Sequence, residues 1–197
     1  LKNIQQSLSW LKKAAKFGDG DAYDRIGYFY TLGEGVEKND SLAFENFKKA
    51  AELKSANGAL NLGVQYMLGC GTIKDLKESE KWYIKAAEYG NAEAAWRLYA
   101  MYTNGDSFPK DEIKAEEFLQ KAVKAKHPEA CYLIGARYYW GKSVEKNYQQ
   151  AFIYWKLAAD QGHLDACKNV AYCYKNGEGC TKDLKKAEEY ENKAKGK

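Results

Sequence analysis

The chain has 197 residues, 45% of them hydrophobic and 29% charged, with a formal net charge of +4. That balance is the composition of a folded chain and excludes disorder. Acidic and basic residues interleave, which excludes the basic stripe of a nucleic-acid binder, and no apolar run approaches the roughly 18 residues of a membrane span.

One 36-residue unit recurs five times without insertion or deletion. With Gly27, Gly63, Tyr99, Gly135 and Ala171 as anchors, tyrosine follows three residues on, at Tyr30, Tyr66, Tyr102, Tyr138 and Tyr174. Glycine follows at six (Gly33, Gly69, Gly105, Gly141, Gly177) and a small residue at sixteen (Ala43, Ser79, Ala115, Ala151, Ala187). Alanine closes each unit at Ala50, Ala86, Ala122, Ala158 and Ala194. A fixed period of this length marks stacked repeats that bury their apolar faces only against their neighbours. The expected fold is all-α, one solenoid domain over 1–197: a leading helix within 1–21, then repeats at 22–57, 58–93, 94–129, 130–165 and 166–197.

In chain order, the leading helix places Ser7, Trp10, Leu11, Ala14 and Ala15 in one phase. Trp10 and Leu11 have no upstream partner there, and a preceding segment or another molecule is expected to cover them. Each unit then holds two helical patterns around a glycine-marked loop. The first covers 20–32, 56–68, 92–104, 128–140 and 164–176, after Asp19, Ser55, Asn91, His127 and His163 at the capping position. The first three are good N-cap types, and Pro128 sits where a missing N–H costs nothing. Acids at Asp21, Glu93, Glu129 and Asp165 suit the positive end of the helix dipole. The glycine six past the anchor takes the left-handed conformation that ends the helix. The second helix starts at Asn39, Asp75, Asp111, Asn147 and Asp183, runs about fourteen residues, and buries a stripe such as Ala43, Phe47 and Ala50. The anchor is expected to face the small residue sixteen further on. Eleven helices result. In the last, Glu191 and Lys195 replace apolar residues, which reads as a polar cap.

The string Ile26-Gly27-x-x-Tyr30-x-x-Gly33-x-Gly35-Val36, continuing to Ala43 and Lys49-Ala50-Ala51, resembles the Sel-one-like repeat. So does Leu62-Gly63-x-x-Tyr66-x-x-Gly69-x-Gly71, followed by Trp82-Tyr83-x-Lys85-Ala86-Ala87. These repeats are similar to tetratricopeptide repeats with a longer loop. The resemblance covers about residues 7 to 195. It implies a right-handed α/α superhelix serving as an adaptor, or in some relatives as an inhibitor or immunity protein for a cognate toxin. The third unit departs from the pattern, with Tyr99 at the anchor and Asn104 to Pro109 in the loop, so a local distortion is expected there. The fourth has Ser143 in place of a loop glycine.

In tetratricopeptide-like pairs the first helix lines the concave face. Positions three before and one, four and five after the anchor share that face by helical period. They are Tyr28, Leu60, Val64, Met67, Leu68, Trp96, Tyr132, Tyr139, Trp140 and Tyr172, flanked by Arg25, Arg97 and Arg137. Core positions are already filled by Ile26, Tyr30, Leu62, Tyr66, Leu98 and Tyr102. Either the superhelix buries these surplus rings against neighbouring units, or they form an exposed stripe of the residue types that dominate interface cores.

Five cysteines do not make an even disulfide set. Cysteine-rich bacterial relatives bridge positions eight residues apart. Here Cys131 and Cys167 have Val123 and Ala159 at the partner position, so both read as small core residues. Cys173 and Cys180 flank a helix end and are close enough in sequence to pair; Cys70 has no mate. The reduced form favours the cytoplasm, whereas a leader removed ahead of Leu1 would mean the periplasm. His127-x-x-x-Cys131 and His163-x-x-x-Cys167 lack the further ligands that zinc wants, and no cofactor or metal is expected. Ser107-x-x-Lys110 and Ser143-x-x-Lys146 match one serine-hydrolase motif, but the lysine is the repeat's own and no partner motif exists. The expectation is therefore a non-catalytic scaffold that holds a protein or peptide in its concave groove. The competing reading is a β-lactamase-like or peptidoglycan-directed hydrolase.

Overall fold

In the computed structural model, which describes residues 2–196, a leading helix α1 (Lys2–Lys16) precedes five helix pairs. The first members are α2 (Gly20–Leu32), α4 (Ala56–Leu68), α6 (Ala92–Asn104), α8 (Pro128–Trp140) and α10 (Leu164–Asn176). The second members are α3 (Asp40–Glu52), α5 (Leu76–Glu88), α7 (Glu112–Lys124), α9 (Tyr148–Ala159) and α11 (Leu184–Ala194). Among the described residues the chain is thus an all-α repeat solenoid of eleven helices, with the second helices one to three residues shorter than expected.

Local chemistry sets the ends. Asp19, Ser55 and Asn91 accept from the backbone N–H of Ala22, Gly58 and Ala94, satisfying donors that the first turn leaves unpaired. His163 caps through its ring: Nδ1 accepts from the Ala166 N–H at 3.1 Å. His127 makes no cap bond, and Pro128 follows it at the first helical position. All five second helices begin at an Asn or Asp whose carboxyl or amide oxygen accepts a backbone N–H. Gly33, Gly69, Gly105, Gly141 and Gly177 end the first helices in the left-handed region. Ser143 also stands there, at φ 62°, in the loop position where Gly35, Gly71 and Gly179 sit in other units, a conformation that costs an L side chain free energy.

The chain forms two compact units, residues 1–118 and 119–197. In the first, the core gathers Phe44, Phe47, Leu62, Tyr83, Leu98, Tyr102, Phe108 and Phe118, with Leu8 and Ala15 of α1 clustered with Ala22 and Ile26 of α2. Adjacent first helices are also tied by polar bonds: Ser55 Oγ donates to Asp21 at 2.6 Å, and the Asn61 amide donates to buried Asp24 at 2.7 Å. In the second unit the core is Cys131, Trp155, Ala158, Cys167, Val170, Cys173, Tyr174 and Tyr190, with small residues between them.

The two helices of a pair close over the anchor. Ser79 Oγ donates to the Gly63 carbonyl at 2.9 Å, which is the expected sixteen-residue contact. The nearer neighbour is the ring twenty residues on. A Cβ on Gly27 would stand 2.7 Å from the Phe47 ring, and one on Gly135 would stand 2.5 Å from the Trp155 indole. At Gly63 the nearest atoms, Ser79 O and Tyr83 Cγ, lie 3.3 Å away. Gly135→Ala is therefore expected to destabilise by about 1–3 kcal/mol through overpacking, despite alanine's better helix propensity, and Gly63→Ala by clearly less. Urea unfolding of both variants checks this; equal losses would show that ring contact does not set the spacing.

Candidate functional site

Of the residues nominated on the first helices, the structure leaves none fully buried. In the first unit, Arg25, Tyr28 and Leu68 are exposed, while Leu60, Val64, Met67, Trp96 and Arg97 are half-buried. Arg25 and Tyr28 share a shallow depression of about 220 Å³ with Leu11 and Phe29. Leu60, Val64 and Met67 pack on the core, and Met67 Sδ accepts from the Tyr83 hydroxyl. Trp96 lies 5.1 Å from Tyr99, ring to ring. Arg97 is engaged rather than offered: its Nε donates to Glu93 at 2.5 Å, and its guanidinium also holds the Tyr83 hydroxyl.

In the second unit four nominated rings come together. Tyr132, Tyr139 and Trp140 of α8 and Tyr172 of α10 line one hollow of about 310 Å³, with Ala136, Asn169 and Trp155. Trp155 is the floor, 4% exposed, and its indole N–H donates to the Tyr132 carbonyl at 3.2 Å. Tyr139 is fixed on several sides, with ring centroids 4.8 Å from Trp140, 5.1 Å from Trp155 and 5.2 Å from Tyr148. Its hydroxyl donates to Glu178 Oε2 at 3.1 Å, and the Tyr172 hydroxyl reaches Glu178 Oε1 at 3.5 Å. Burial, with these bonds to Tyr172 and Glu178, pushes the Tyr139 phenol above its usual range. Tyr132 stacks on the His163 ring at 4.5 Å and 17°. Trp140 stays 66% exposed and Tyr172 47%. Arg137 is half-buried on α8 and engaged by other groups.

Sequence reasoning missed Glu178, Asn169 and the stacking role of His163. Glu178 follows the helix-ending glycine Gly177, six residues beyond Tyr172, and only the fold brings it to Tyr139. Asn169 lies on α10 three residues before Tyr172, a spacing that puts both on one helix face.

The chemistry elsewhere is quiet. Cys131 and Cys167 are buried, the latter's thiol directed at the Ala159 carbonyl, and all five cysteines are free thiols. His163 Nδ1 is taken by its cap bond. Among the described residues no group of three or more His, Cys, Asp and Glu is placed to hold a metal ion, and no helix is long and apolar enough to cross a membrane. Lys110 pairs with Glu112 at 3.5 Å, and Lys146 lies over the Tyr148 ring at 4.6 Å, so each lysine of the two serine motifs has another partner.

The Sel1 repeat pattern matches the chain over residues 1–19, 20–55, 56–91, 92–127, 128–163 and 164–194. Among solved structures, a Sel1 repeat protein from Oxalobacter formigenes is similar at 29% identity and a TM-score of 0.82, over 98% of this chain and 56% of that one. A protective antigen of uropathogenic Escherichia coli displaying an SLR fold is similar at 29% identity and a TM-score of 0.72, over 98% and 41%. An immunity protein from Pseudomonas aeruginosa shares the fold at 22% identity and a TM-score of 0.60, over 96% and 72%. The chain spans about half the length of the first two. No curated protein matches it.

Cys173, on the buried face of α10 and 1% exposed, has its thiol pushed up to about 12, first by burial and then by Cys180 and Glu178. The neutral thiol is thus favoured in the folded state. Its contribution is fully present below the ordinary thiol value of 9.0 and is lost as pH rises towards about 12. Unfolding measured across that window is expected to show falling stability, with a shallower fall in Cys173→Ala. At pH 8 native Cys173 is expected to escape iodoacetamide and to react fully in guanidinium, as read by peptide mass mapping. Rapid native labelling would contradict this placement.

Proposed function

This chain belongs to the Sel1 repeat family, and from that premise we propose that it is a non-catalytic binding scaffold that holds a partner protein or peptide on its first-helix face. The observation that carries this reading is the hollow of the second unit. Four rings line one open depression over a buried indole: Tyr132 and Tyr139 lean on the core, and Trp140 and Tyr172 stand exposed. Clusters of Tyr and Trp at the edge of a packed pocket are the composition of interface anchors. Sel1 repeats are generally scaffolds for protein interaction, which agrees with this reading. Tyr28, Leu60, Met67, Trp96 and Arg25 of the first unit form the corresponding face there, with Arg97 in a supporting role.

The non-catalytic part of the reading rests on the hollow's lining, which holds aromatic, alanine and asparagine side chains and no paired acid and base or activated nucleophile. Ser143 lies exposed in a loop, and the lysine three residues after Ser107 and after Ser143 is the one every unit carries. A one-to-one complex with a toxin would make the scaffold an immunity protein; one short motif shared by several partners would make it an adaptor.

The test pans a random peptide library over the immobilised full chain and remeasures the selected peptides on Trp140→Ala/Tyr172→Ala. Both side chains are exposed, so the variant is expected to keep its helical circular dichroism while its affinities fall at least about tenfold. Selection of no peptide, or equal binding by the variant, would sink the proposal. Nitrocefin turnover that disappears on changing Ser107 or Ser143 would restore the hydrolase reading; none is expected.

A further inference from the structure

Several rings in this protein carry one of the chain's own ammonium groups. Lys13 lies over Trp10 at 4.5 Å, Lys85 over Trp82 at 4.3 Å, Lys146 over Tyr148 at 4.6 Å and Lys193 over Tyr190 at 4.4 Å. The hollow between α8 and α10 differs from these sites. Among the described residues no lysine or arginine lines it, so the outer faces of Trp140 and Tyr172 look onto open space. The charge at its rim is negative: Glu178 holds the Tyr139 and Tyr172 hydroxyls at 3.1 and 3.5 Å, one on each carboxylate oxygen. A π-lined cup with a carboxylate at its edge is complementary to a cation.

We propose that this hollow receives a cationic side chain, arginine or lysine, of the bound partner. The inference rests on the reading of the hollow as the partner's site and names the chemistry that fills it. The ring faces of Trp140 and Tyr172 supply the cation–π contact, Glu178 the countercharge, and the Asn169 amide a neutral polar group that accepts an N–H. The far side of Tyr172 is different. There Lys168, Lys175 and Lys195 gather around Ala171, with Glu191 and Ala194, and Lys168 is paired with Asp165 at 2.7 Å. Tyr172 thus lines both hollows, one edged by lysines and one with no lysine or arginine in its lining. Residues 119–197 carry more basic than acidic side chains, so the long-range field does not draw a cation in. The attraction is short-range and acts on a side chain already delivered by the rest of the partner.

The experiment titrates the full chain, ¹⁵N-labelled at its indoles, with the N-acetylated amides of arginine, lysine, citrulline and norleucine. The Trp140 signal is identified by its loss in Trp140→Leu. It is expected to shift saturably with the arginine and lysine amides, at midpoints about tenfold below those of the two neutral amides. Glu178→Gln is expected to raise the charged midpoints about fivefold while leaving the neutral ones in place. Equal midpoints for charged and neutral amides, or a Trp140 signal unmoved by all four, would overturn the inference. Panned peptides that need Trp140 and Tyr172 but carry no basic residue there would also remove it, and would leave the binding surface itself standing.

Discussion

A ring of the second helix lies against the backbone of the first wherever the anchor is glycine: Phe47 at Gly27, Tyr83 at Gly63, Trp155 at Gly135. The three rings are almost wholly buried, and each fills the gap that the missing side chain leaves, so the pair closes at the distance one aromatic ring allows. Much else follows from this. Because the second helix fills the space between the helices, the first helix needs only its Ile, Leu and Tyr positions for packing. Side chains five residues past the anchor are turned out of the core, whereas Val64, Met67, Ala136 and Tyr139, one or four past it, pack on its edge. In the second unit Tyr139 stacks on the same buried ring, Trp155. The candidate surface is in this sense a by-product of how each pair is closed.

The two anchors that are not glycine show how the repeat accommodates change. At Tyr99 the helix α6 runs unbroken from Ala92 to Asn104, and the extra ring packs half-buried against Trp96. The loop that follows lacks the second glycine, and Phe108 turns inward, 4% exposed, with its ring 5.8 Å from Tyr102. At Ala171 the residue twenty positions on is the exposed Glu191. There the neighbouring Tyr190 takes up the packing, 5.9 Å from Tyr174, with its hydroxyl bonded to Asp160 at 2.9 Å. A lost ring at one position is thus offset by a ring one residue away, which keeps the second helix in register.

The helices were legible in the sequence because what begins and ends them is local: a capping oxygen three residues from the N–H it accepts, and a glycine free to take positive φ. The four rings of the hollow were legible for a similar reason, since Tyr132, Tyr139 and Trp140 share one face of one helix and Tyr172 holds the equivalent place on the next. Glu178 was not, because its value depends on a loop folding back over α8, a contact 39 residues long in sequence. The state of Arg97 was a different kind of miss. Its carboxylate partner Glu93 stands four residues earlier on the same helix, an arrangement that pairs opposite charges, and the choice of flanking arginines passed over it. Helical period says which face a side chain is on, and only the neighbours say whether it is free.

The geometry of the hollow also bears on how tightly such a surface can hold a partner. Binding costs the free energy of ordering whatever was mobile beforehand. Tyr139 is already held by Trp155, Tyr148 and the Glu178 carboxylate, and Tyr132 by its stack on His163. His163 is itself fixed by capping α10, so the cap that starts one helix also braces a wall built on another. Only Trp140 and Tyr172 stand largely in solvent, one on each side of the opening. Much of the cup is therefore set in advance, and little would be left to order except at the two exposed rings. Such division between a rigid floor and two adjustable walls favours ligands recognised by a single inserted side chain over those that need a broad, flat contact.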